Sequence, residues 1–133
     1  MVILDTNVII DHLRRTNKDS SLVKIAKKIP KEALAISIIS IQELYEGKST
    51  KDNEREKYLL STITPLRILA YTYEVAKYAG EIARDSINPI ELADAAIAAT
   101  AIINGYQLFT LNKKHFKGIK DLELIDMDTA VSR

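Results

Sequence analysis

The stretch Met1-Val2-Ile3-Leu4-Asp5-Thr6-Asn7-Val8-Ile9-Ile10-Asp11-His12-Leu13 decides the fold class of this chain. The apolar run Val2, Ile3 and Leu4, ended by the polar Asp5-Thr6-Asn7 triplet, predicts a short, fully buried strand followed at once by a helix. In open α/β sheets ligands collect outside the carboxyl ends of the strands, so a carboxylate ending this strand stands where chemistry is done. The plainer reading makes one of the triplet the N-cap of the helix. One cap leaves at least one polar side chain over, and Asp5 is the candidate.

Working outward, buried strands alternate with helical periodicity. Val8, Ile9 and Leu13 continue the first helix, and Arg14 to Asp19 form a polar loop. Ser20 or Ser21 caps a helix that turns Leu22, Ile25, Ala26 and Ile29 inward and that Pro30 stops. Ala33 to Ile36 form a second strand ending at Ser37, and Ile38 to Tyr45 a helix closed by Gly47. Lys48 to Glu56 is charged enough to predict a solvated loop leading into a helix through Tyr58, Leu59 and Leu60. Leu66 to Leu69 is a third strand, Thr72 to Ile87 a longer helix, Ile90 to Asn104 an apolar helix stopped by Gly105, Gln107 to Thr110 a fourth strand and Leu122 to Ile125 a fifth. The expectation is a three-layer α/β/α sandwich with a parallel sheet of about five strands, one domain over residues 1–133.

Composition sets limits. A chain of 133 residues with 47% hydrophobic and 28% charged content is long enough to bury a core alone. Lys+Arg 19 against Asp+Glu 18 gives a formal charge of +1, so a case for nucleic-acid binding must come from local clusters. With no cysteine and two histidines, thiol chemistry and a structural zinc site lack ligands. The longest apolar stretch, Ala33 to Ile41, falls short of the roughly 20 residues of a membrane span, and Asp5 stands where a secretory signal needs basic residues; a cytoplasmic protein without a membrane role is expected.

Three acids stand out. Asp94 shares a helix face with Ile90, Ile97, Ala98 and Ala101, and an unpaired charge on such a stripe would cost several kcal/mol. A cation, hydrogen-bond donors or a metal must compensate it. Its neighbour Glu91 is explained structurally, as the third helical residue of a capping box begun by Asn88 and Pro89. Glu43 has two open readings. Ser40-Ile41-Gln42-Glu43 matches a capping box, whereas capping by Ser37 would leave Glu43 well inside the helix and aimed at the space above Asp5. Asn112, after the fourth strand, either caps a short turn through Phe116 or offers its amide to the same pocket. Three carboxylates gathered at one edge raise one another's pKa unless a hard cation neutralises them. Magnesium or manganese suits that role, preferring carboxylate and water ligands and serving phosphate chemistry by activating water.

Taken together, Ile3-Leu4-Asp5-Thr6-Asn7, Ser37 through Glu43-Leu44 with Gly47, Leu92 through Ala101 around Asp94, and Leu108 through Phe116 resemble a PIN-domain ribonuclease of the VapC toxin type, over nearly the whole chain. The resemblance implies a metal-dependent endoribonuclease that cuts single-stranded or loop RNA to a 5′-phosphate and a free 3′-hydroxyl, usually a homodimer, held inactive by a small antitoxin. It assigns Asp5, Glu43 and Asp94 to an acidic Mg2+ or Mn2+ site, Thr6 to a polar neighbour of it, and Asn112 to the position after the fourth strand. Many relatives carry a fourth acid between Asn112 and Phe116; here Asn112 and His115 stand there, which puts a second tightly bound metal in doubt.

Competing readings are a PIN scaffold that holds RNA or protein without cutting, a housekeeping RNA-processing nuclease, an aspartyl phosphatase and a phospho-acceptor receiver. The phosphatase wants an acid two residues after Asp5, where Asn7 stands, and the receiver wants adjacent acids near its start. Lys113, Lys114 and Lys117 are candidate RNA clamps, or else an ordinary solvated face. Asp11 reads as solvated or as a neighbour of the site. Tyr58, Tyr71, Tyr73 and Tyr78 offer an aromatic surface suited to a dimer interface, or else simple core packing.

Overall fold

The computed structural model describes residues 1–15 and 19–126; the centre of the polar loop expected after the first helix lies outside them. Four parallel strands, β1 (Val2–Leu4), β2 (Leu34–Ser37), β3 (Arg67–Leu69) and β4 (Gln107–Phe109), form one sheet in the order β3-β2-β1-β4. The chain builds the sheet outward from β1 through β2 to β3 and then crosses to the other side of β1. That reversal makes the carboxyl end of β1 the place where loops diverge and leave a crevice. Asp5 is the next residue.

Strand alternation sorts the core into two layers. Val2, Leu4, Leu34, Ile36 and Phe109 face helices α1 (Thr6–Arg14), α2 (Ser21–Ala26), α3 (Ile38–Glu46) and α4 (Asn53–Ile63), meeting Val8, Ile9, Ile25, Leu44 and Leu59. Ile3, Ala35 and Leu108 point the other way, onto Ile97, Ala98 and Ala101 of α6 (Leu92–Asn104). Helix α5 (Tyr73–Asp85) packs on α6 through Val75 and Ala79 against Ala95 and Ala99, small residues that let two helices approach closely. The α/β/α sandwich is as expected.

Several details differ. The fifth strand is absent among the described residues: 122–125 makes a single parallel bridge, Leu108↔Leu124, bracketed by hydrogen bonds from Leu108 N to Glu123 O and from Ile125 N to Leu108 O. Asp121, just before it, adopts a positive φ of 69°, so the chain reaches the sheet edge out of a tight turn. The charged segment expected as loop is ordered as a 3-10 turn, Lys48–Lys51, and the start of α4, where Asp52 accepts a hydrogen bond from Arg55 N. Helix α2 stops at Ala26 and α5 at Asp85, each short of the expected end.

The start of α6 is a further correction. Glu91 is extended at φ −70°, ψ 152° and is itself the N-cap, so no capping box forms with Asn88. The physical reason lies one residue earlier. Ile90 packs against the cluster of Val75, Ala79, Ala95 and Ala99, which ties the residue before the cap to the α5–α6 interface. Asp94 thereby becomes the third residue of α6, beside the unpaired N–H groups of its first turn.

Candidate active site

Asp5 is held at the end of β1 by the sheet. Its N–H donates to Phe109 O at 2.9 Å, and its buried carboxylate accepts from Thr6 N at 2.8 Å and from Thr110 Oγ1 at 2.7 Å. It is therefore both the N-cap of α1 and a site residue, because each oxygen serves one role. Burial pushes its carboxyl up, and the hydrogen bonds from Thr110 and Thr6 pull against that.

Glu43 lies inside α3 because Ser37, the last residue of β2, caps that helix by accepting from Ile39 N at 3.1 Å. Ser40 is thus free of capping duty. Thr6 Oγ1 donates to Glu43 Oε1 at 2.6 Å, and because its only hydroxyl proton is used there, Ser40 Oγ is the donor in the 2.8 Å contact with Thr6. Glu43 is pushed up by partial burial and by the charge of Asp5, against the Thr6 hydrogen bond.

Asp94 enters from α6. Its partner is His115, whose Nδ1 lies 3.2 Å from Asp94 Oδ2 and whose Nε2 is 2.9 Å from Asn112 Nδ2. With the amide as donor, Nε2 is the acceptor and the Nδ1 proton faces Asp94. Burial first, then the charge of Asp5, raises the Asp94 carboxyl to about 6, with His115 opposing the rise and Glu91 and Glu43 adding to it.

The three acids thus come from the end of β1, the interior of α3 and the first turn of α6 to one edge of the sheet, close enough to feel one another's charge. Among the described residues, however, no three of His, Cys, Asp or Glu gather tightly enough to surround one ion. Each carboxylate is instead engaged by a protein donor: Thr110 and Thr6 on Asp5, Thr6 on Glu43, His115 on Asp94. This donor set fits magnesium or manganese, hard ions that bind through one or two carboxylates and complete their shell with water.

Of the other expected residues, Thr6 is the link between Asp5 and Glu43, and Asn112 stands at the N-cap position of the turn Lys113–Phe116 without a side-chain capping bond, its amide meeting His115 instead. Lys114 and Lys117 line a cleft of about 410 Å³ that also contains Asp94 and His115, whereas Lys113 does not line it. Asp11 takes no part: it pairs with Arg15 at 2.9 Å and accepts from Ser21 N and Oγ, securing the start of α2. The sequence offers Ser40 and Asn7 only as helix caps and Thr110 only as the end of the fourth strand, with no role beside the acids. Asn7 Oδ1 accepts from Leu111 N at 3.3 Å and its amide reaches Thr110 Oγ1 at 3.4 Å, tying the loop after β4 to α1. Their signal was short-range polarity beside a strand-end acid, which does not say which hydroxyl faces which carboxylate.

Comparison with known proteins agrees with this architecture. The family model described as PIN domain matches residues 2–122. The chain is 35% identical over 126 residues to ribonuclease VapC10 of Mycobacterium tuberculosis, covering 92% of this chain and 91% of that protein. It is 30% identical over 131 residues to ribonuclease VapC1 of Methanocaldococcus jannaschii, covering 92% and 84%. Among solved structures, VapBC2 from Rickettsia felis bound to a DNA fragment from its promoter superposes with a TM-score of 0.78 at 26% identity, over 94% of this chain and 98% of that one. FitAcB from Neisseria gonorrhoeae superposes with a TM-score of 0.77 at 26% identity, over 96% and 98%.

Proposed function

The chain belongs to the PIN domain family, and from that premise we propose that it is a divalent-metal-dependent endoribonuclease, the toxin of a toxin–antitoxin pair. The observation that carries the reading is the meeting of Asp5, Glu43 and Asp94 at the carboxyl edge of the sheet, all three with carboxyls raised above their ordinary range. Burial is the main cause of each rise, with the charge of Asp5 adding to it at Glu43 and Asp94, and a divalent cation would offset both. Relatives named as VapC ribonucleases and solved VapBC complexes support both the activity and an antitoxin partner.

Asp5, Glu43 and Asp94 would hold Mg2+ or Mn2+, one or two of them directly and the rest through water. The ion would activate a water for attack on phosphorus and stabilise the leaving oxygen. The chain's own residues do the rest. Thr6 and Thr110 fix the rotamers of Glu43 and Asp5, and His115 orients Asp94, so that the carboxylates keep their positions as a substrate phosphate arrives. Lys114 and Lys117 hold the RNA backbone at the rim of the cleft. The substrate is single-stranded or loop RNA, whose bases are free to leave the stack, and the products carry a 5′-phosphate and a 3′-hydroxyl. The protein acts in the cytoplasm as a homodimer; no helix among the described residues is long and apolar enough to cross a membrane.

The test is cleavage of a mixed RNA pool with magnesium, with manganese and with chelator. Cleavage that needs either ion and disappears in Asp5→Asn supports the mechanism. Activity that survives in chelator, or in Asp5→Asn, removes it. Calorimetry adds a second readout: wild type should bind manganese weakly at neutral pH and Asp94→Asn more weakly still, and equal binding would take Asp94 out of the site.

A further inference from the structure

A second cleft, of about 620 Å³, opens between α1, α3 and α4 and shares no lining residue with the cleft at Asp94. Among the described residues Glu43 is the only acid that lines it. Around it stand three exposed cations from separate elements: Arg14 at the end of α1, Lys48 just after α3 and Arg55 early in α4. Among the described residues none of the three pairs with a carboxylate. The neighbouring acids of α4 are used elsewhere, Glu54 with Lys57 at 3.6 Å and Glu56 as acceptor from Tyr45 Oη at 2.7 Å. A segment whose charges nearly cancel in sequence therefore presents one sign to the cleft.

Tyr58 forms an aromatic wall of the same cleft and is about half exposed. Its hydroxyl bonds His12 Nε2 at 3.0 Å, and the two rings lie with centroids 5.6 Å apart, tilted by 34°. His12 is in turn fixed by Ser20 Oγ at 2.7 Å from Nδ1. The ring is thus held before any ligand arrives, as a stacking platform should be.

We propose that this cleft is a nucleotide subsite for single-stranded RNA. Arg14, Lys48 and Arg55 take backbone phosphates, Tyr58 stacks one base, and Glu43 at the inner end joins the subsite to the scissile phosphate. The inference rests on the ribonuclease reading and extends it to residues outside the acidic site. Unpaired cations beside a fixed aromatic face suit a chain that alternates phosphate and base, and the volume lies within the range of ordinary ligand sites.

The experiment measures binding of a labelled random-sequence single-stranded RNA to the Asp5→Asn protein across a salt series. Replacing Arg14, Lys48 and Arg55 together by Gln should weaken binding and lower the salt slope by about 2, since each phosphate contact on a single strand contributes about 0.7. Tyr58→Leu should weaken binding about tenfold, while Tyr58→Phe, which keeps the ring, should not. In the cutting protein the triple variant should raise KM with kcat little changed. Circular dichroism and manganese binding should match the parent in each case. Unchanged affinity and slope in the triple variant, with wild-type cleavage intact, would overturn the subsite alone and give the cleft to a protein partner. If the wild type cuts no RNA with either ion, the ribonuclease reading fails and the subsite fails with it.

Discussion

Thr6 Oγ1 donates to Glu43 Oε1 across 2.6 Å, so the residue next to Asp5 in the chain is what holds the second carboxylate. Thr6 is buried, and Ser40 Oγ donates to it in turn. Thr6→Val keeps the shape and removes the hydroxyl, leaving Ser40 without its acceptor and Glu43 without its donor. The expected cost is about 1–3 kcal/mol by urea unfolding, with a larger proportional loss of cleavage than of RNA binding. Thr6→Ser should recover most of both, and a Thr6→Val protein as stable and active as wild type would show that the bond does nothing.

Asp94 should make stability fall as pH rises. Its carboxyl titrates near 6 in the folded state against 3.8 ordinarily. Below 3.8 both states hold the proton; between 3.8 and about 6 the folded state holds it and the unfolded state does not, so stability drops across that window and stays lower above it. Asp5 and Glu43, also raised, add slopes of the same sign. Asp94→Asn, in chelator at neutral pH, should therefore gain about 1 kcal/mol, a figure kept small because the carboxylate still touches water. Urea midpoints across this pH range check it, and an identical slope in the variant would acquit Asp94.

The lysines after β4 should divide. Lys114→Gln and Lys117→Gln each remove a cation from the cleft that holds Asp94, so each should lower the salt slope of RNA binding by about 0.7. Lys113 lies outside that cleft, and Lys113→Gln should leave the slope alone. Equal effects from all three would mean diffuse attraction rather than a clamp.

Tyr73 is 85% exposed at the start of α5, and Tyr71 is partly exposed beside it, whereas Tyr78 is packed against the α5–α6 cluster. If Tyr71 and Tyr73 form part of the homodimer interface, Tyr73→Asp should shift the mass by light scattering toward the monomer without changing the circular dichroism. A monomeric wild type at micromolar concentration removes the dimer.

The layers of the fold were legible because they rest on local periodicity. Val2 to Leu4, Leu34 to Ile36 and the alanine-rich face of α6 declare their burial in the residues themselves. Asp5 was legible for the same reason, as a charge ending an apolar run. Glu43 was ambiguous because Ser37 and Ser40 both make acceptable caps, and the choice is settled by distant contacts: Ser37 pairs with Leu69 at the end of β2, and Ser40 turns to Thr6. The start of α6 differs from the expectation because Ile90 packs into the cluster between α5 and α6, a tertiary contact with no local signature. The segment 122–125 looked like a strand, but an apolar run does not tell how many of its residues find a partner, and here one does. Thr110 needed the register of β4 against β1 before its hydroxyl could be matched to Asp5.

That register also sets an order of assembly. Asp5 is fixed by bonds from its N–H to Phe109 O and from Thr110 Oγ1 to its carboxylate, the latter reaching across 105 positions of the chain. Pairing across such a separation is slow to form and cannot begin before the later partner exists. The Asp5 carboxylate therefore takes its fixed position only when β4 docks beside β1, and on the ribonuclease reading the acidic site stays incomplete, and the chain inert toward RNA, until that late step.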